Sequence, residues 1–321
     1  MNNCICCQSN EIKRRGFYRN KNFNVQRFQC LRCDASFAEK TPLDNLRVPM
    51  EKAVQTVHLL CEGMGIRAIS RFTGLSQPAV LNILEMAGQK AMRLLDQQIR
   101  NVEVESVQCD EIFAFVQKKE FNNTLHDPDV GTQYTYLAVD RKSKMILSHF
   151  ISKLRSRENA TIFMADLRSR IKGRCQLTTD GLYGYLGAVN DTFGANVDFA
   201  QQAKTYNDRD FGAFRDERRY SVGRGCATVK THVHIGNPDR SLISTSHVER
   251  MNLSVRLFQR RFTRLTSGFS KKLDNLKYSV ALFIAHFNFC RVHSAHKQTP
   301  AMAAELTNHI WTIEELFSTP R

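Results

Sequence analysis

Three carboxylates stand at nearly equal intervals in this 321-residue chain: Asp110 in VQCDEIFAFV, Asp180 in LTTDGLYGYL and Glu249 in STSHVERMNLSVRLFQRR. The first reads as a strand in which Val102, Val104 and Val107 alternate with polar residues and run into Asp110. The second reads as a short strand, Cys175 to Thr179, that ends at Asp180 and is followed by Gly181 and an aromatic turn. The third sits on a helix, because Val248, Met251, Val255, Phe258 and Phe262 recur at helical spacing and form a stripe to be buried. Glu249 falls off that stripe, and Arg256 and Arg260 return close to its angular position. Two acids at strand ends and one on a later helix suit two-metal phosphoryl transfer. There, two Mg²⁺ (or Mn²⁺) ions about 3.5–4 Å apart, clamped by several carboxylates, stabilise the attacking and leaving oxygens. The guanidinium row suits a phosphate backbone. A single acid at a strand end is ordinarily a solvated turn residue; the ordered set, with a basic helix behind it, carries the reading. Glu111 and Asp140 are the neighbouring acids that could be mistaken for the first ligand.

These acids need a sheet and a helix to bring them together, and the stretch 101–200 supplies alternating patterns. Tyr134 to Val139 and Lys144 to Ile151 predict paired strands around a polar turn, Asn159 to Ile171 a helix, and Asn196 to Ala200 a further strand. Residues 204–245 break the periodicity and are basic (Arg218, Arg219, Arg224, Lys230), which predicts an insertion that holds DNA. His232 and His234 alternate there and read as surface residues. The stretch 273–321 is helical, with Leu276, Val280, Phe283, Phe287 and Cys290 on one apolar face.

Before this body stand two smaller units. Cys4 and Cys7, then Cys30 and Cys33, form two pairs of the spacing that delivers four thiolates to one tetrahedral, structural Zn²⁺, and so short a segment lacks the apolar mass to fold otherwise. Residues 46–100 predict helices: Pro49 opens one. Gly74 then marks a turn, Ser76 caps, and a second helix starts at Pro78, over a core of Ile66, Ile69, Leu75, Val80 and Ile83. As a DNA-reading helix-turn-helix it would offer Ser76, Gln77 and Asn82 to base edges and Arg67 and Arg71 to phosphates.

Together with the stretch FNFCRVHSAHKQTPAMAAEL, these features resemble a DDE transposase of the insertion-sequence-one family over nearly the whole chain. The resemblance implies an α+β, multidomain chain: an N-terminal zinc ribbon (1–45), a helix-turn-helix (46–100), an RNase H-like α/β catalytic domain (101–272) with its insertion, and a C-terminal helical segment (273–321). It implies that Asp110, Asp180 and Glu249 are the metal-binding carboxylates and that Arg256 is the basic residue seven positions beyond the glutamate. The implied activity is binding the terminal repeats of an insertion sequence, then metal-dependent hydrolysis and strand transfer. The long second interval fits an insertion between Asp180 and Glu249.

Composition agrees with such a partner. Lys and Arg number 46 against 31 Asp and Glu, a net charge of +15, which suits double-stranded DNA better than a membrane because no basic amphipathic anchor appears. From Arg250 to Lys272 there are seven basic residues and no acid, so that run reads as a backbone track. The start, MNNCICCQSN, is no signal peptide, and no run is apolar enough to span a membrane; a cytoplasmic, nucleoid-associated bacterial or archaeal protein is expected. An element has two ends to join, so a homodimer or higher homo-oligomer is expected, through the 276–290 helix or the stretch 84–99 (Leu84, Ala87, Ala91, Leu94, Leu95). Two other readings fit the same residues: a DNA-binding regulator with an inactive body, and a metal-dependent nuclease that cuts without joining.

Overall fold

The computed structural model describes residues 3–4, 6–19, 24–38, 43, 46–205, 228–263 and 266–318. It is a mixed α+β chain whose centre is a six-stranded sheet. Strand β1 (Ile12–Arg19), β2 (Asn24–Cys30) and β3 (Ser36–Ala38) form a separate antiparallel sheet at the start, in the order 1-2-3. Three helices follow: α1 (Met50–Cys61), α2 (Ile66–Thr73) and the long α3 (Gln77–Gln98). Gly74 takes the left-handed conformation (φ +70°) that ends α2, and the Ser76 hydroxyl accepts from the Ala79 N–H at 3.3 Å to start α3.

The central sheet contains β5 (Ser106–Val116), β6 (Gly131–Asp140), β7 (Ile146–Ser152), β9 (Cys175–Thr179), β10 (Val197–Thr205) and β11 (Thr228–Ile235), in the spatial order 11-10-9-5-6-7. Strands β5, β6 and β7 are an antiparallel meander, whereas β9 and β10 run parallel to β5. The parallel crossovers need helices: α4 (Arg157–Arg170), capped by Ser156, and α5 (Gly184–Phe193). A two-stranded parallel pair, β4 (Val102–Glu103) with β8 (Ile171–Lys172), sits apart. The remaining helices are α6 (Ser246–Phe258), α7 (Leu273–Ala285), α8 (Pro300–Ala303) and α9 (Ile313–Ser318). Among the described residues no helix is long and apolar enough to cross a membrane.

Several sequence expectations change. Val102 belongs to the separate β4, and the strand of Asp110 starts at Ser106 and continues to Val116, because β6 pairs with it as far as Val116↔Gly131. Asp110 is therefore in mid-strand. Within 204–245, β10 extends to Thr205 and the exposed β11 pairs with it antiparallel, and after Ile235 a 3₁₀ turn (Arg240–Leu242) and the buried Ile243 and Thr245 lead into α6. Arg218, Arg219, Arg224 and Arg264 lie outside the described residues.

The two surfaces expected to join copies are instead turned on each other. Leu84, Ala87, Ala91, Leu94 and Leu95 continue α3 and are buried, as are Leu276, Val280 and Phe283 of α7, and the two helices meet where Gly88 faces Tyr278. One hydrophobic core runs unbroken from Leu43 to Phe317. The α7 helix ends in one π-helical turn, His286–Cys290. There the buried Asn288 amide donates to the Ile146 carbonyl (2.8 Å) and accepts from its N–H (3.0 Å), locking the start of β7.

Candidate active site

Register brings the first two acids together. Cys109 on β5 is level with Thr179 on β9, so Asp110 and the residue just beyond the end of β9, Asp180, emerge side by side from the two central strands. Each is held by backbone: Asp110 Oδ1 accepts from the Glu111 N–H (2.8 Å) and Asp180 Oδ1 from the Leu182 N–H (3.1 Å). The Gln201 amide of β10 donates to the carbonyls of Asp180 (2.8 Å) and Leu182 (3.1 Å), fixing the turn behind the second acid.

Helix α6 is pinned across β5 at two points. The buried Gln108 Oε1 accepts from the His247 (2.8 Å) and Val248 (3.2 Å) N–H groups at the helix start, satisfying donors that no helical carbonyl reaches. One turn later the Asn252 Nδ2 donates to Asp110 Oδ2 at 2.8 Å. Glu249, between these pins, accepts from the Thr245 hydroxyl (2.6 Å) and pairs with the Lys204 ammonium of β10.

The group that closes on Asp110 and Asp180 is Glu111: one carboxylate oxygen from each of the three lies within 4.8 Å of the others, and Glu249 is not in that set. The Glu111 side chain is only 3% exposed; Oε1 accepts from the Tyr185 hydroxyl of α5, and Oε2 has no hydrogen-bond partner, with the Arg155 guanidinium 3.9 Å away. Crowded carboxylates in a dry place repel one another's charge. Burial first, then Asp180, pushes the Asp110 carboxyl up to about 6 and the Glu111 carboxyl up to about 8. Burial also raises Asp180. Such a cluster is a natural seat for a hard divalent cation, whose charge offsets this repulsion. Asp140 is no rival for it, since its Oδ2 is bound by the N–H (2.7 Å) and hydroxyl (2.6 Å) of Ser143 as a turn lock.

The basic residues divide. Arg256 is on α6, seven positions beyond Glu249, but α6 ends at Phe258 and the extended Gln259 breaks the expected row, so Arg260 starts a separate 3₁₀ turn and is exposed there. Arg261 turns inward, donating to the hydroxyls of Ser270 (2.8 Å) and Ser279 (3.1 Å). In the helical pair, Arg67, Arg71, Gln77 and Asn82 are exposed, and exposed Ser76 spends its hydroxyl on capping α3.

In the small N-terminal sheet the Sγ atoms of Cys4, Cys7, Cys30 and Cys33 all lie within 4.8 Å of one another, with Cys4–Cys33 at 3.5 Å and Cys7–Cys30 at 3.6 Å. Four sulfurs at about 2.3 Å from a tetrahedral centre stand about 3.8 Å apart, so the quartet has the size of a Zn²⁺ site. The N–H groups of Cys6 and Arg32 each point at a sulfur (3.4 Å), the turn geometry that two such pairs create. Phe28 and Phe37 stack beside it at 5.7 Å.

Sequence reasoning missed Asn252, Gln108, Gln201 and the Glu111–Tyr185 pair as parts of the site. Asn252 had a signal, being one turn from Glu249 on the same helix; Gln201 and Tyr185 had none, because only the sheet brings them near.

No protein family and no curated protein matches the chain. Solved structures with partial likeness include a piggyBac transposase synaptic complex with hairpin DNA, at 9% identity and TM-score 0.40, over 83% of this chain and 68% of that one. A pre-cleavage Mos1 transpososome is similar at 14% identity and TM-score 0.20, over 47% of this chain and 60% of the other. Kluyveromyces polysporus Argonaute with a guide RNA is similar at 11% identity and TM-score 0.24, over 67% and 32%.

Proposed function

We propose that this chain is a DDE-type DNA transposase that binds the terminal repeats of an insertion sequence and carries out metal-dependent phosphodiester hydrolysis and strand transfer. One observation carries the reading: neighbouring central strands deliver Asp110 and Asp180 to one point, while α6, pinned to the same strand by Gln108 and Asn252, carries Glu249 alongside. The antiparallel meander β5–β6–β7 flanked by parallel β9 and β10 supports an RNase H-like body.

Asp110, Asp180 and Glu249 would hold two Mg²⁺ or Mn²⁺ ions, with Glu111 close beside the first two and Glu249 turned from Lys204 to complete the set. Bound there, these supply positive charge to the attacking and leaving oxygens of a phosphodiester in line. The chain's own residues prepare the place. Asn252 fixes the Asp110 rotamer, the Leu182 N–H fixes Asp180, and Thr245 with Lys204 orients Glu249 until a cation competes for it. Arg256 and Arg260 would position the strand. Cys4, Cys7, Cys30 and Cys33 would hold one structural Zn²⁺, and the α2–α3 pair, through Arg67, Arg71, Ser76, Gln77 and Asn82, would read the DNA end. Two ends and one target call for at least two copies, paired through a surface other than the α3–α7 seam.

The test is incubation of the protein with Mg²⁺ and DNA ends, followed by sequencing of joined products. Joined molecules support the reading; specific binding with no cutting would make the chain a regulator, and cutting without joining a nuclease.

A further inference from the structure

Helix α6 has a second functional flank. His247, Arg250, Met251, Ser254 and Phe258 recur at helical spacing and line a cleft of about 360 Å³, roughly 160° around the helix from Glu249. The opposite walls are the β6–β7 turn, with Lys144, and the segment from Phe287 to Ser294. Among the described residues five basic side chains line it (Lys144, His247, Arg250, Arg291, His293), and no carboxylate does.

The nearby acids are already committed or marginal. Asp140 is locked onto Ser143, and Glu62 stands 3.5 Å from only one Arg291 nitrogen. Lys144 spends one ammonium proton on the Arg141 carbonyl and keeps two. Apolar surface is present too: half-buried Phe258 lies under the Arg291 guanidinium at 3.6 Å and Val292 is exposed beside it, with buried Met251 and Phe287 packed beneath.

We propose that this cleft binds one unpaired nucleotide of the DNA strand, with its phosphate between Lys144 and Arg250 and its base against the Arg291–Phe258 stack and Val292. A phosphate alone would leave the Arg291–Phe258 stack and Val292 uncovered, and a duplex has both faces of each base stacked, so neither uses the whole surface. A single strand combines backbone charge with an exposed π-face, the pairing that basic, aromatic-floored sites recognise. A strand leaving the acid cluster reaches the cleft after crossing one helix, about 10 Å. The choice of DNA rests on the proposed function.

The experiment uses the full chain without divalent cation, so that no chemistry intervenes. A single-stranded oligodeoxynucleotide carrying 5-iododeoxyuridine is bound, irradiated, and its adducts mapped. Adducts at Phe258, Arg291 or His293 are expected. Lys144→Ala with Arg250→Ala should lower affinity about tenfold and flatten the salt dependence by roughly 1.4 in log–log slope, two phosphate contacts at about 0.7 each. Adducts confined to other surfaces, with the double variant binding within twofold of the parent, would overturn the proposal. Adducts in the cleft from a protein that never joins DNA under Mg²⁺ would keep the nucleotide site and remove the transposase reading.

Discussion

Gly88 sits where the long helix capped by Ser76 crosses α7, and replacing it with alanine should loosen the joint between α3 and α7. A Cβ built there meets Tyr278 Cβ at 2.4 Å, its Cα at 2.7 Å and its carbonyl oxygen at 2.9 Å. Two of these atoms are main chain and the third is the first side-chain carbon, so no rotamer change relieves them. The helices must separate by about 1 Å, and because main-chain atoms cannot rotate away such overpacking costs about 2–3 kcal/mol, the upper part of the usual range. Against it stands the better helix propensity of alanine, which contributes about 1 kcal/mol. The clash wins, for a net loss of about 1–2 kcal/mol, lowering the melting temperature by a few degrees in a chain of this size. Urea unfolding of Gly88→Ala beside the parent measures it, and the double variant with Tyr278→Ala should not recover because that Cβ remains. If Gly88→Ala is as stable as the parent or more so, the close α3–α7 crossing is wrong, and with it the single core.

Asp110→Asn, Asp180→Asn or Glu249→Gln should each lower DNA cleavage and joining at least about a hundredfold while leaving end binding within twofold; Asp140→Asn should stay active, and the reverse pattern would relocate the site. Purified, unstripped protein should contain about one zinc per chain, and Cys4→Ser or Cys30→Ser should lose it together with specific binding; elemental analysis without zinc would refute this. Burial, aided by the His58 and Arg291 charges, holds buried His286 down at about 4 against an ordinary 6.5. Between those values the unfolded chain takes up a proton that the native side chain refuses, so stability falls as pH drops from 6.5 to 4, by about 3 kcal/mol. Melting curves across that range should flatten in His286→Gln, and parallel curves would exclude His286 as the cause.

What the sequence determined by itself was local: the paired cysteines, the Gly74–Ser76 break between two helices, the strand Cys175–Thr179 and the helical stripe through Val248, Met251 and Val255. Each is written in periodicity or in a turn residue whose backbone preference acts within a few positions. The alternation before Asp110 misled because a strand's ends depend on its partner: β6 carries β5 six residues past the acid, and no local signal reports that. Arg260 left the helical row for a similar reason, since α6 stops where Arg261 is drawn in to Ser270 and Ser279. The tertiary structure alone decided that Gln108 and Gln201 anchor the site, that Glu111 rather than Glu249 closes on the first two acids, and that the apolar faces of α3 and α7 cover each other. An apolar stripe states that a face must be buried, and long-range packing chooses against what.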